Sequence, residues 1–340
     1  MVISKNMAEK FEQLARMIGN TPMLEISLKY KGEERKVYSK IEYYNYSGSI
    51  KDRVAYNIMK NAYEVGIIKE GDRIAEATSG NTGISFAAIG AYLGNPVTIF
   101  MPDWMTKERV NIMKSFGATI RLVSKEEGGF TGSIELANTM GAKEGVFLPQ
   151  QFSNPINVAA HYETTGKEIL DQLSKFEKTP DAIVAGVGTG GTIMGIKKSI
   201  QEFYPNCKAF PLDPSNSPTM ASGGKIIGKH RIAGIGDEFI PKIVKLDELD
   251  DIIMIDDADA INMSRKLART LGLGVGISSG ANFLGALKAQ DILENKDSVV
   301  VTVFADDNKK YLSTDLMKEQ TIKPGYMAQD VELIGFKTIK

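Results

Sequence analysis

The 340-residue chain contains one cysteine, Cys207, and two histidines, His161 and His230. A lone thiol excludes an intramolecular disulfide and a thiolate metal cluster, and two histidines make a histidine-rich site implausible, so no metal is expected. Cys207 itself reads as an inert thiol rather than a nucleophile. Charge of one sign is also missing: 41 Lys and Arg stand against 42 Asp and Glu. With no polybasic block and no aromatic-basic ladder, nothing attracts nucleic acid or an anionic membrane. A continuous apolar run is absent from the start, where "MVISKNMAEKFEQLARMIG" spaces Phe11, Leu14 and Ile18 along one helical face. That stretch reads as neither a signal peptide nor an anchor, and the protein is expected in the cytoplasm. Repeats, low-complexity tracts and flexible linkers are missing too.

What is present is the material of an ordinary globular protein, 43% hydrophobic and 24% charged, long enough for about two domains. Small-molecule chemistry is therefore expected. Short β-rich runs alternate with amphipathic stretches: residues 37–43, 73–78, 96–100, 119–123, 182–187 and 298–304 read as strands, and "KAFPLD" as another. That order implies an α/β protein with parallel sheets flanked by helices on both faces. In such folds ligands bind beyond the carboxyl ends of the strands, so the turns that follow strands are the ones to search.

Three of those turns carry chemistry. "AIVAGVGTGGTIMG" taken alone matches the dinucleotide fingerprint through Gly186, Gly188 and Gly191, with Asp213 placed like a ribose-binding acid, and would be read as a nicotinamide site. "NYSGSIKDRVAYNIMKNA" lets Ser49 cap a helix with Ile50, Val54, Ile58 and Met59 facing inward, which puts Lys51 in the first turn. An ammonium is disfavoured at the positive end of a helix, so a lysine there is either solvated or functional. "EATSGNTGISFA" presents Thr78, Ser79, Asn81 and Thr82 with two glycines at another strand-to-helix junction, more polar groups than capping needs. It suits a carboxylate or phosphate. Gly188, Thr189, Gly190, Gly191 and Thr192 offer a second cup, suited to a phosphate monoester. A lysine that forms a Schiff base, a phosphate cup and a carboxylate cup are the parts needed by pyridoxal phosphate acting on an amino acid.

"NYSGSIKDR", "TSGNTG", "QQFSNP", "GTGGT" and "GISSGA", in that order, resemble the cysteine synthase and cystathionine β-synthase family of fold type II pyridoxal phosphate enzymes, from Ile18 to about Leu316. The dehydrogenase reading then falls, because it leaves Lys51 and one cup unused. The resemblance implies a tryptophan synthase β-like fold of two interwoven α/β domains, each with a mainly parallel twisted sheet. The smaller, residues 48–154, would carry a mobile substrate loop; the larger, residues 1–47 and 155–340, would bind the cofactor phosphate. It implies that Lys51 holds pyridoxal 5'-phosphate and removes the substrate Cα proton, and that Asn81 contacts the ring hydroxyl. Gly188 to Thr192 would hold the phosphate, and Ser278, rather than Ser279, the pyridine nitrogen. Thr78, Ser79, Asn81, Thr82, Gln151 and Gly236 would line the substrate. A neutral serine opposite the ring nitrogen makes the cofactor a weaker electron sink than a carboxylate would, which favours prompt loss of a β-substituent.

The implied reaction is β-elimination and β-replacement through an aminoacrylate, in a homodimer, with an amino acid and sulfide as small-molecule partners. O-acetylserine and sulfide are the family's usual pair. Two departures argue for another. Tyr46 follows Asn45 where the family has proline, and Asp237 follows Gly236 in "RIAGIGDEFIP" where a small or neutral residue is expected. A carboxylate at that loop disfavours anionic hydrosulfide but can deprotonate water or protonate a departing hydroxyl, which makes Asp237 a catalytic candidate. The expected activity therefore interconverts L-cysteine with L-serine and hydrogen sulfide, with lanthionine formed when a second cysteine replaces water. The alternatives are an O-acetylserine sulfhydrylase, a serine or threonine dehydratase, and a catalytically silent metabolite-sensing or partner-binding module.

Overall fold

In a computed structural model, which describes residues 3–78 and 80–340, the chain opens with helix α1 (Lys5–Met17) and a hairpin of β1 (Met23–Tyr30) and β2 (Glu33–Ile41). There follow α2 (Lys51–Glu64), β3 (Arg73–Ala77), α3 (Asn81–Leu93), β4 (Val97–Pro102), α4 (Lys107–Ser115), β5 (Thr119–Val123), α5 (Gly129–Gly141), β6 (Val146–Phe147) and α6 (Ile156–Ala160). A π turn, His161–Thr165, leads into α7 (Gly166–Ser174). The chain continues through β7 (Ala182–Gly186), α8 (Gly191–Gln201), β8 (Lys208–Pro214), β9 (Ile253–Ile255), α9 (Asp257–Leu271), α10 (Ile277–Ile292), β10 (Val300–Phe304) and β11 (Val331–Ile339).

These elements form two units, each assembled from separated stretches of chain. One comprises α1 and Asn45–Asn157; the other comprises Asn20–Tyr44 and Val158–Lys340. The first is built on a wholly parallel sheet in the order β5-β4-β3-β6. Every residue of β4 is buried, as a strand covered on both faces requires. Helix α1 had been expected with the larger domain. It packs into the smaller unit instead, because Met7, Phe11, Leu14 and Ile18 join Val54, Ile58 and Met59 of α2 in one apolar cluster. Burying each such side chain contributes roughly 1.5–3 kcal/mol.

The second unit has a seven-stranded sheet ordered β11-β1-β2-β10-β7-β8-β9. The strands from β2 through β10 and β7 to β9 run parallel, while β1 is antiparallel to both β2 and β11. Helix α10 lies along the centre of this sheet and is buried almost throughout. Gly186 at the end of β7 donates its amide to Asn282 Oδ1 at 2.8 Å, and Asn282 Nδ2 donates to the Val303 carbonyl of β10 at 2.8 Å. One side chain thus pins α10 to the strand end that leads into the glycine turn. Among the described residues no helix is long and apolar enough to cross a membrane.

Candidate active site

Lys51 is the first residue of α2 and is partly buried. The capping differs from the simple serine cap expected, since Ile50 occupies the N-cap position. Ser49 Oγ accepts the Lys51 amide at 3.3 Å, and the Asp52 carboxylate turns back to accept the Ser47 amide at 2.7 Å and the Ser47 hydroxyl. An acid in the first turn offsets the positive helix end in which the lysine stands. The hydroxyl of Ser47 also meets that of Ser85 on α3 at 3.3 Å, which ties the lysine loop to the next helix of interest.

At the start of α3, Thr78 Oγ1 accepts the Gly80 amide at 3.3 Å, and Asn81 and Thr82 occupy the first turn. Thr82 donates its hydroxyl to Gln151 Oε1 at 2.7 Å, and Gln151 Nε2 donates to the Ala77 carbonyl at 3.2 Å. Thr78, Asn81, Thr82 and Gln151, the last remote in sequence, thereby gather around one helix N-terminus, where backbone amides and hydroxyls suit a carboxylate. Ser79 lies outside the described residues. Beneath this cup, Glu76 Oε1 accepts the amide of Ala77 and Oε2 that of Gln151. Burial in the parallel sheet pushes its carboxyl up to about 7, against the lowering effect of the Gln151 and Ala77 amides.

In the second unit, Gly188 to Thr192 run from the turn after β7 into the first residues of α8. Gly190 has φ +88°, the left-handed conformation that glycine adopts without strain, and a β-carbon there would collide with Val244. A β-carbon at Gly188 would collide with the Gly234 carbonyl. The turn is therefore a concave, side-chain-free cradle flanked by the buried Thr189 and Thr192. Its first-turn amides and two hydroxyls fit a phosphate monoester, as pyridoxal phosphate requires. Ser278 lies in the first turn of α10 and is 5% exposed, whereas Ser279 is fully buried and its hydroxyl oxygen has no partner among the described residues.

The loop bearing Asp237 is fastened to the same cradle. The amide of Gly236 donates to the Val187 carbonyl at 2.9 Å, one residue before Gly188, while Ile235 packs under Gly186. Asp237 is partly buried at this junction. Lys51, Thr78, Asn81, Thr82 and Gln151 belong to the first unit, and Gly188 to Thr192, Gly236, Asp237 and Ser278 to the second.

Three supporting residues escaped the sequence reading. His161 sits fully buried on the π turn, with Nδ1 2.9 Å from Thr165 Oγ1 and Nε2 3.3 Å from Thr192 Oγ1, so it sets the threonine at the end of the cradle. Arg109 of α4 is buried with its guanidinium against Gly80. Asn282 anchors α10 as described above. An isolated histidine, a single arginine within a polar helix and one asparagine among the polar residues of α10 carry no spacing signal. Tyr46 is 37% exposed, and burial of its remainder raises its phenol above the ordinary range. Cys207 is buried, and the loss of solvent pushes its thiol up to about 12, as suits an inert core residue. Asp213 is also fully buried, and it accepts the amides of Met220 at 2.9 Å and Ala221 at 3.3 Å.

A helix-borne lysine, a carboxylate cup and a phosphate cradle on parallel α/β sheets define the class of enzymes that work through a phosphorylated aldehyde cofactor on amino acids. The model of the family described as "Pyridoxal-phosphate dependent enzyme" matches residues 14–306, and the chain belongs to that family. It is 39% identical over 312 residues to a cysteine synthase of Staphylococcus aureus (strain Mu50 / ATCC 700699), covering 91% of this chain and 98% of that one. A hydrogen sulfide-producing enzyme from Fusobacterium nucleatum superimposes with a TM-score of 0.94 at 55% identity, covering 96% of this chain and 97% of the other. An aspartate-to-asparagine mutant of that hydrogen sulfide-producing enzyme, complexed with an α-aminoacrylate intermediate, superimposes with a TM-score of 0.93 at 55% identity over the same shares. This protein is a pyridoxal phosphate-dependent enzyme of cysteine synthase-like β-elimination and β-replacement.

Proposed function

We propose that the enzyme converts L-cysteine and water into L-serine and hydrogen sulfide and also catalyses the reverse reaction, with lanthionine formed when a second cysteine takes the place of water. The observation that carries this reading is the position of Asp237, one residue after a glycine hydrogen-bonded to the strand end that opens the phosphate cradle. Pyridoxal phosphate, when bound, supplies the electron sink that allows the Cα–H and Cβ–S bonds to break. Lys51 holds the cofactor and carries the Cα proton. Gly188, Thr189, Gly190, Gly191 and Thr192 hold the phosphate, Asn81 meets the ring hydroxyl, and Ser278 meets the ring nitrogen without a charge. Thr78, Ser79, Asn81, Thr82 and Gln151, with Gly236, bind the substrate carboxylate and keep the Cα–H bond aligned. Asp237 takes a proton from water as the hydroxyl adds at Cβ, and in reverse returns it to the departing hydroxyl.

The hydrogen sulfide-producing relative supports cysteine as the sulfur donor. Its aspartate-to-asparagine mutant, captured with an α-aminoacrylate, is what loss of an acid needed for the second half-reaction would leave behind. The reading extends to a cytoplasmic homodimer with no nucleic-acid or membrane partner, which the family resemblance and the balanced charge support. The test is to give the purified holoenzyme L-cysteine alone and measure sulfide, L-serine and lanthionine. Sulfide is expected to equal the sum of L-serine and lanthionine. Pyruvate and ammonia in place of serine would make it a simple lyase, and turnover of O-acetylserine with none of cysteine would return it to the usual sulfhydrylase pair.

A further inference from the structure

The carbonyl of Gly236 can only accept, so its 2.9 Å contact with His230 Nε2 places a proton on that nitrogen. The amide of the same glycine donates to Val187. Both polar groups of the residue before Asp237 are thus held, one by the end of β7 and one by the imidazole. Gly236 has φ +70°, and a β-carbon there would lie 2.7 Å from Pro214 Cγ and 2.9 Å from His230 Nε2. The histidine ring and the proline ending β8 therefore close on the bare α-carbon. Rotating the peptide that leads into Asp237 would break the imidazole bond and drive the turn into one of these two rings.

The other face of the imidazole shows why this residue is not filling space. His230 Nδ1 is buried with no partner among the described residues, as is Oδ1 of the neighbouring Asp213. Burial holds the Asp213 carboxyl above the ordinary carboxylate range, against the lowering effects of the Ala221 and Met220 amides and of His230. A leucine would fill the same volume without burying an unpaired nitrogen, which costs stability. The histidine gives back one well-formed bond, through Nε2, to the carbonyl that aims Asp237.

We propose that His230 is a positioning residue for Asp237, holding the Gly236 carbonyl through Nε2–H so that the carboxylate meets the water that adds at Cβ. This rests on the reading of Asp237 given above. The holoenzyme should then lose serine formation, but not sulfide release, when the donor at Nε2 is removed. His230→Ala is expected to lower the ratio of serine formed to sulfide released in the first turnover about tenfold, the effect of one lost hydrogen bond. His230→Gln, whose terminal amide donates from nearly the same place as Nε2, should restore that ratio to within about threefold of the parent.

Nitrogen NMR of protein labelled only at histidine gives a second readout, independent of turnover. The chain has two histidines, so the His230 ring can be assigned by its loss in His230→Gln. A ring carrying a proton at Nε2 is expected. A ring protonated at Nδ1 alone would overturn the proposal, and so would His230→Ala lowering sulfide release and serine formation equally. If Asp237→Asn lowers the ratio and His230→Ala does not, the inference fails and the reading of Asp237 stands. If neither variant lowers it, the reading of Asp237 fails and takes this inference with it.

Discussion

The hydroxyl of Thr82 donates to Gln151 Oε1 at 2.7 Å, joining the first turn of α3 to a residue that follows β6. The rest of Gln151 is equally committed: its Nε2 goes to the Ala77 carbonyl, its amide to Glu76, and its own carbonyl accepts from Asn157 Nδ2 at 2.8 Å. Four bonds hold the glutamine rigid, so the cup at the head of α3 is formed before substrate arrives.

Thr82→Val keeps the shape and removes the donor, leaving Gln151 Oε1 buried without its partner, a loss of about 1–3 kcal/mol. The KM for L-cysteine should rise about tenfold or more, while the absorbance of bound cofactor per protomer stays unchanged. Steady-state kinetics with a cofactor assay check this. An unchanged KM would remove Thr82 from the carboxylate site.

Gly190→Ala meets two obstacles, a φ of +88° and the side chain of Val244. Strain of this kind costs on the order of 1–3 kcal/mol, and it falls on the cradle. The variant should purify with a reduced share of cofactor, regained only at raised pyridoxal phosphate concentration, and titration by absorbance would measure the shift. Affinity equal to that of the parent would mean that the phosphate lies elsewhere.

Glu76 gives a pH dependence with a definite sign. Burial lifts its carboxyl from an ordinary 4.5 to about 7, so the folded protein keeps the proton to higher pH than the unfolded chain does. Its contribution to stability is fully present below the unfolded value and is lost as pH rises through the folded one, about 3 kcal/mol in all. Glu76→Gln removes this loss. Across the interval from about 4.5 to 7 the melting temperature of the parent should fall relative to that of the variant, and parallel curves would show that the carboxyl titrates normally.

The chemistry of the site was easier to read in the sequence than its supports. Lys51, the Thr78 to Thr82 turn and the glycine cradle each follow a β-rich run and open a helix, so their positions announced themselves through local pattern. Strands β1 and β11 went unread although Leu24, Ile26 and Leu28 alternate with Glu25, Ser27 and Lys29 as a half-buried strand should. Strands β6 and β9, at two and three residues, are too short for any periodicity to register. The placement of α1 depended on which apolar surface it covers, and a helical stripe does not name its partner. His161, Arg109 and Asn282 act through contacts distant in sequence, which only the folded chain brings together.

The most direct measurement is a rapid-mixing comparison of the parent and Asp237→Asn with L-cysteine, following sulfide release in the first turnover and L-serine formation afterwards. If Asp237 activates water, sulfide release should remain within about threefold of the parent, while serine formation falls roughly a hundredfold, the size of a general-base contribution. Equal loss of both steps, or of neither, would contradict the account.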